Sequence, residues 1–133
     1  MSESKVQTGI RQALAALPYV RLYRNKQAGR GRLKAGLGTG TSDLIGWVTI
    51  RFEDPIGGNM QDNAIFLAIE VKANAKADVS PEQLSFLADV RAAGGIGAIV
   101  WTVEQAVQLV KRAHYGDVEA ERLETWGKVL GDG

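Results

Sequence analysis

The chain has 133 residues, one histidine and no cysteine, with 45% hydrophobic and 23% charged residues and a formal net charge of +1. That is ordinary globular composition, long enough to bury a core without covalent staples. Disulfides, thiolate zinc sites and cysteine nucleophiles are excluded, and no apolar run approaches the roughly 20 residues of a membrane span. The polar start, Met1-Ser2-Glu3-Ser4-Lys5, lacks the pattern of a signal peptide, so cytoplasm is the expected compartment and no membrane contact is expected.

Residues 2–17 read as a helix, with Val6, Ile10, Leu14 and Leu17 on one face and Pro18 helping to end it. Val20 to Asn25 alternates as a short strand. Residues 26–41 contain five glycines and the cations Lys26, Arg30, Arg32 and Lys34, and read as a loop. With Arg21 and Arg24, this makes a basic stretch without an acid. It is either a solvated loop or the side on which a polyanion approaches.

Asp43 to Phe52 predicts a second strand, and 53–63, with Asp54-Pro55 and Gly57-Gly58, a turn or hairpin loop. Ala64 to Ala73 is the clearest strand. Ser80-Pro81-Glu82-Gln83 announces a helix to about Ala93, with Gly94-Gly95 as its left-handed ending. Ile96 to Trp101 reads as a buried strand, and Thr102 to Gln105 opens a helix to about Ala113. An amphipathic segment from Val118 to Leu130 predicts a last helix. The order implies one mixed α/β sheet flanked by helices, in a single domain over 1–133 with a core of about 3–113 and a helical extension at 117–131.

On the 64–73 strand, Ile65, Leu67, Ile69 and Val71 share one face, while Phe66, Ala68, Glu70 and Lys72 share the other. Charges at the end of such a strand cost desolvation unless paired or functional. Taken alone, Glu70 and Lys72 also fit a solvated ion pair. If the strand from Asp43 and the strand to Lys72 form an antiparallel hairpin, Asp43 joins them at one edge. Two carboxylates there, with the Val71 carbonyl, suit a hard cation such as Mg²⁺ or Mn²⁺. Gln83 leads the apolar stripe of Phe86, Leu87 and Val90, and is either a capping partner of Ser80 or a polar group aimed at the site. Glu3 leads the stripe of the first helix, and is either a site acid or an acid favoured at a helix N-terminus.

These residues fit phosphodiester hydrolysis. Asp43 and Glu70 would hold the metal, Lys72 would orient or deprotonate water and offset charge, and Gln83 would position either. The basic stretch would bind flanking phosphates. Gly36, Gly38 and Gly40 do not match a nucleotide-binding fingerprint, since they precede a strand and no Gly-Lys-Ser/Thr follows. His114 is expected to cap or face solvent, and Trp47, Trp101 and Trp126 to lie in the core or an interface rather than to serve as base-stacking platforms.

The segments Glu3 to Gln7, Leu22 to Asn25, Gly40 to Gly46, Ala68 to Ala73, Ser80 to Gln83 with Phe86-Leu87, and Gly94 to Gly97 together resemble the VRR-NUC branch of the PD-(D/E)xK nucleases, in particular small stand-alone versions from phages and prophages. The resemblance covers roughly residues 3–110. It implies a restriction-endonuclease-like αβββαβ core with an extra C-terminal helix. It also implies metal ligands at Asp43, Glu70 and the Val71 carbonyl, Lys72 as catalytic base, Gln83 as the helix glutamine, and Glu3 as the N-terminal acid. Ser42 stands where the superfamily name has proline. The implied activity is a Mg²⁺- or Mn²⁺-dependent endodeoxyribonuclease acting on branched or Holliday-junction DNA as a homodimer. Arg24, Asn25, Lys26, Arg30, Arg32 and Lys34 are the expected DNA contacts. The rival is a non-catalytic nucleic-acid-binding module of the same fold.

Overall fold

The computed structural model describes residues 2–25 and 41–115. The element order is α1 (Glu3–Ala15), β1 (Val20–Arg24), β2 (Leu44–Glu53), β3 (Met60–Val71), α2 (Pro81–Ala92), β4 (Ile96–Val100) and α3 (Val103–His114). The expected αβββαβ order is therefore present, with α3 following it. Lys26, Arg30, Arg32, Lys34, Trp126 and the helix expected over 118–130 lie outside the described residues.

The strands form one sheet in the order β1-β2-β3-β4. The first three are antiparallel neighbours, and β4 runs parallel to β3. A parallel return needs a crossover, and α2 supplies it. One sheet face packs on α1 and α3. Its core includes Val6, Ile10 and Leu14 from α1, Leu44, Val48, Leu67 and Ile69 from the sheet, and Leu109 and Val110 from α3. Among the described residues the other face is covered only in part, where α2 lays Leu87 and Val90 on Ala68 and Ile99.

Local chemistry explains the boundaries. Ser2 caps α1 by accepting from the Lys5 N–H, and Ser80 and Thr102 open α2 and α3 with complete capping boxes. Gly94 follows α2 at φ 96°, a left-handed turn that favours glycine. Gly46 allows β1 and β2 to meet, since a Cβ there would lie 1.8 Å from the Arg21 carbonyl oxygen.

Two expectations change. The turn or hairpin loop expected over 53–63 is present but shorter, at 54–59, because β2 and β3 pair as far as Glu53 and Met60. This arm extends beyond β4, so both its faces meet water and carry polar residues; Arg51 and Asp62 bridge it with an ion pair at 2.9 Å. His114 neither caps nor simply faces solvent. Its ring stacks on Tyr19 at 3.7 Å and its Nδ1 lies 2.8 Å from the Thr49 carbonyl oxygen, tying α3 to the sheet.

Candidate active site

The hairpin register decides where Asp43 falls. Leu44 pairs with Ile69, so the residue before β2 lies beside the end of β3. The Asp43 Oδ2 accepts the Val71 N–H at 2.9 Å. In extended chain the N–H and C=O of one residue point to the same side, so the Val71 carbonyl turns toward Asp43 as well. The Lys72 N–H points the other way and bonds the Val100 carbonyl at 2.9 Å.

Asp43 is braced from behind. Asn25, expected to touch nucleic acid, is instead buried at 8% exposure. Its Nδ2 donates to the Thr41 hydroxyl at 2.8 Å and the Ser42 carbonyl at 2.9 Å, and its N–H donates to the Asp43 carbonyl. A buried amide is stable only with such partners, and here they fix the segment leading into Asp43. Ser42 is buried too. This bracing escaped the sequence reading, although an Asn closing one strand and a Thr-Ser-Asp opening the next were visible signals.

Glu70 is the central group. It lies on the α2 side of β3, 2% exposed. Its Oε1 accepts from Gln83 Nε2 at 2.6 Å and lies 3.5 Å from Lys72 Nζ. Its Oε2 is buried and, among the described residues, receives no hydrogen-bond donor. Burial, and next the charge of Asp43, push its pKa up to about 8, against the opposing pull of Lys72. This environment favours a proton on Glu70, and a cation beside Oε2 would relieve the same cost.

Gln83 resolves the choice between cap and site by being both. Its Oε1 accepts the Ser80 N–H at 2.9 Å, closing the capping box, and also accepts from Lys72 Nζ at 3.2 Å. Its Nε2 is the donor to Glu70. The Ser80 hydroxyl accepts the Gln83 N–H at 3.1 Å and so holds the residue at its backbone. Lys72 and Glu70 are thus locked at fixed separation by one amide on the first turn of α2.

The structure brings together Asp43, Glu70, Val71, Lys72 and Gln83. Glu3 is not among them: it is exposed in the first turn of α1 and, among the described residues, makes no hydrogen bond or ion pair. Its placement fits the favourable position of an acid near a helix N-terminus. Arg24 is exposed at the end of β1. Among the described residues no cluster of three or more His, Asp or Glu side chains forms a metal cage. The available set is two carboxylates and a carbonyl, all hard oxygen donors. That set suits Mg²⁺ or Mn²⁺, of which Mg²⁺ commonly takes one or two carboxylates and fills the rest of its shell with water and substrate oxygens.

A mixed sheet between helices, with acids from two neighbouring strands and a lysine two residues beyond one of them, defines a restriction-endonuclease-like α/β protein. The VRR-NUC domain model matches residues 7–105, and the chain belongs to that family of PD-(D/E)xK-type nuclease domains. No curated protein and no solved structure gave a match.

Proposed function

We propose that the protein is a divalent-metal-dependent endonuclease that hydrolyses phosphodiester bonds in DNA, selecting branched or junction-like structures and working as a homodimer. The observation that carries the reading is the buried, unpartnered Oε2 of Glu70, in a carboxyl that feels Asp43 and is tied to Lys72 through Gln83. An unpaired buried acid is costly unless a ligand completes it.

Asp43, Glu70 and the Val71 carbonyl would hold Mg²⁺ or Mn²⁺. Such an ion supplies Lewis acidity toward a phosphate oxygen and lowers the pKa of bound water. Lys72, steadied by Gln83, orients the attacking water, assists its deprotonation and offsets charge developing on the phosphorus oxygens. Asn25 and Ser42 keep Asp43 in register with β3. Arg24, with Lys26, Arg30, Arg32 and Lys34, supplies phosphate contacts without sequence preference. A symmetric pair of sites suits two cuts in a four-way junction.

The test is cleavage of linear, flap and four-way-junction DNA with Mg²⁺, Mn²⁺ or EDTA, with oligomeric state measured by light scattering. Cutting should require the metal and favour branched substrates. Lys72→Ala should slow it by about 100-fold or more, with melting temperature and DNA affinity retained. DNA binding without cutting in either metal would make the domain a binding module instead.

A further inference from the structure

Among the described residues, the sheet face that carries Glu70 is covered only in part. α2 shields Ala68 and Ile99, with Ile45 at its margin. Beyond it, the same face presents Tyr23, Trp47 and Phe66, at 55%, 37% and 42% exposure. The register places these rings in order. Tyr23 pairs with Ile45, one side-chain row from Asp43, and Trp47 pairs with Phe66 in the next row. At the spacing of extended chain the rows lie about 7 and about 13 Å from the acids. The Tyr23 and Trp47 rings stand 6.0 Å apart, tilted by 43°. Trp47 was expected in the core or an interface; it is exposed, because α2 packs chiefly on β4 and β3 and, among the described residues, leaves the β1 side uncovered.

We infer that Tyr23, Trp47 and Phe66 form a stacking platform for unpaired DNA bases, which feeds a single-stranded segment of a branched substrate to the Asp43–Glu70–Lys72 site. The inference rests on the nuclease reading and names what that site selects. Aromatic side chains on an open sheet face take up splayed bases in other nucleic-acid-binding folds, because every base offers a π face whatever its identity. Charge favours this occupant and gives it a direction. Exposed Arg21 lies directly across from Trp47, on the same face of β1 as Tyr23. Asp89 stands on the opposite side, lining a groove with Phe66, Val90 and Gly95. A strand would therefore run its phosphates along β1 and turn its bases inward over Trp47 and Phe66. A blunt duplex keeps its bases stacked and paired, and offers nothing to these rings.

The experiment measures binding in EDTA, so that no cleavage is needed, by fluorescence anisotropy of labelled oligo-dT and of a blunt duplex of equal length. Trp47→Ala should weaken oligo-dT binding by about tenfold and leave duplex binding within about twofold. Phe66→Ala and Tyr23→Ala should act in the same direction. A protein retaining only Trp47 (Trp101→Phe, Trp126→Phe) should lose emission when oligo-dT is added, which tests the contact without removing the ring. Equal weakening of both ligands, unchanged oligo-dT binding, or no change in Trp47 emission overturns the platform. So does conversion from dimer to monomer by Trp47→Ala, which would assign the face to a second copy of the chain. The two readings fail separately. Metal- and Lys72-dependent cutting with no effect of Trp47 removes only the platform, whereas stacking without cutting removes only the enzyme.

Discussion

Replacing Glu70 by Gln separates the charge of this carboxyl from its shape. The amide can keep an oxygen toward Gln83 and Lys72 and place its NH₂ group toward Asp43, where the native chain has an unpartnered oxygen. The native carboxyl titrates near 8 when folded, against an ordinary 4.5. Below pH 4.5 both states hold the proton and Glu70 has no effect on stability. Between 4.5 and 8 the unfolded chain releases it while the folded protein keeps it, so stability falls as pH rises; above 8 the cost is constant. At about 1.4 kcal/mol per pH unit, this is about 3 kcal/mol at pH 7 and at most about 5 above pH 8. Against a typical total of about 5–15 kcal/mol, that is a large share. Glu70→Gln should therefore unfold like the native protein near pH 5 in EDTA and become progressively more stable than it toward pH 9, as read by urea denaturation. Mg²⁺ or Mn²⁺ should recover the native protein's stability at pH 8, by about 2.7 kcal/mol at a hundredfold excess over Kd, and leave the variant unchanged. A stability difference that does not grow with pH would refute the electrostatic account of the site.

The bracing behind Asp43 predicts that Asn25→Ala, which removes the donor to the Ser42 carbonyl and the Thr41 hydroxyl, lowers stability by about 1–3 kcal/mol in denaturant titration and weakens metal-induced stabilisation as well. Asn25→Asp should not rescue it, because a carboxylate cannot donate to either oxygen. Gly46→Ala should be more damaging than any surface change. Its Cβ would lie 1.8 Å from the backbone oxygen of Arg21, so β1 must separate from β2; loss of soluble folded protein, or a drop of more than about 4 kcal/mol, is expected by circular dichroism and denaturation.

Much of the site was legible because strand alternation is strict. Glu70 and Lys72 share a face by period alone, and the hairpin that joins β2 to β3 can bring Asp43 only to their end of the sheet. The capping box at Ser80 fixed where α2 begins, and so where Gln83 points. What escaped depended on contacts distant in sequence. The pairing of Gln61 to Asn63 was hidden because strands beyond the reach of β4 are solvated on both faces and carry loop-like residues. That Trp47 lies outside the core was not legible, because a sequence shows which faces alternate, not which part of a face a helix will cover. Asn25 lay next to a run of cations and shared their interpretation, while its burial depends on the return of the chain at Thr41 and Ser42. His114 found Tyr19, a partner nearly the length of the described chain away.

The doubled role of Gln83 has a consequence for how this protein can change. One amide closes the first turn of α2 and sets the distance between Glu70 and Lys72, so the start of a helix and the alignment of the candidate site are the same structural event. A substitution there cannot trade activity for stability or stability for activity, because both losses arrive together. Fraying of that turn, the commonest small motion of any helix, would be felt at once as slack between Glu70 and Lys72. The arrangement of Glu70 and Lys72 is thus assembled by secondary structure itself.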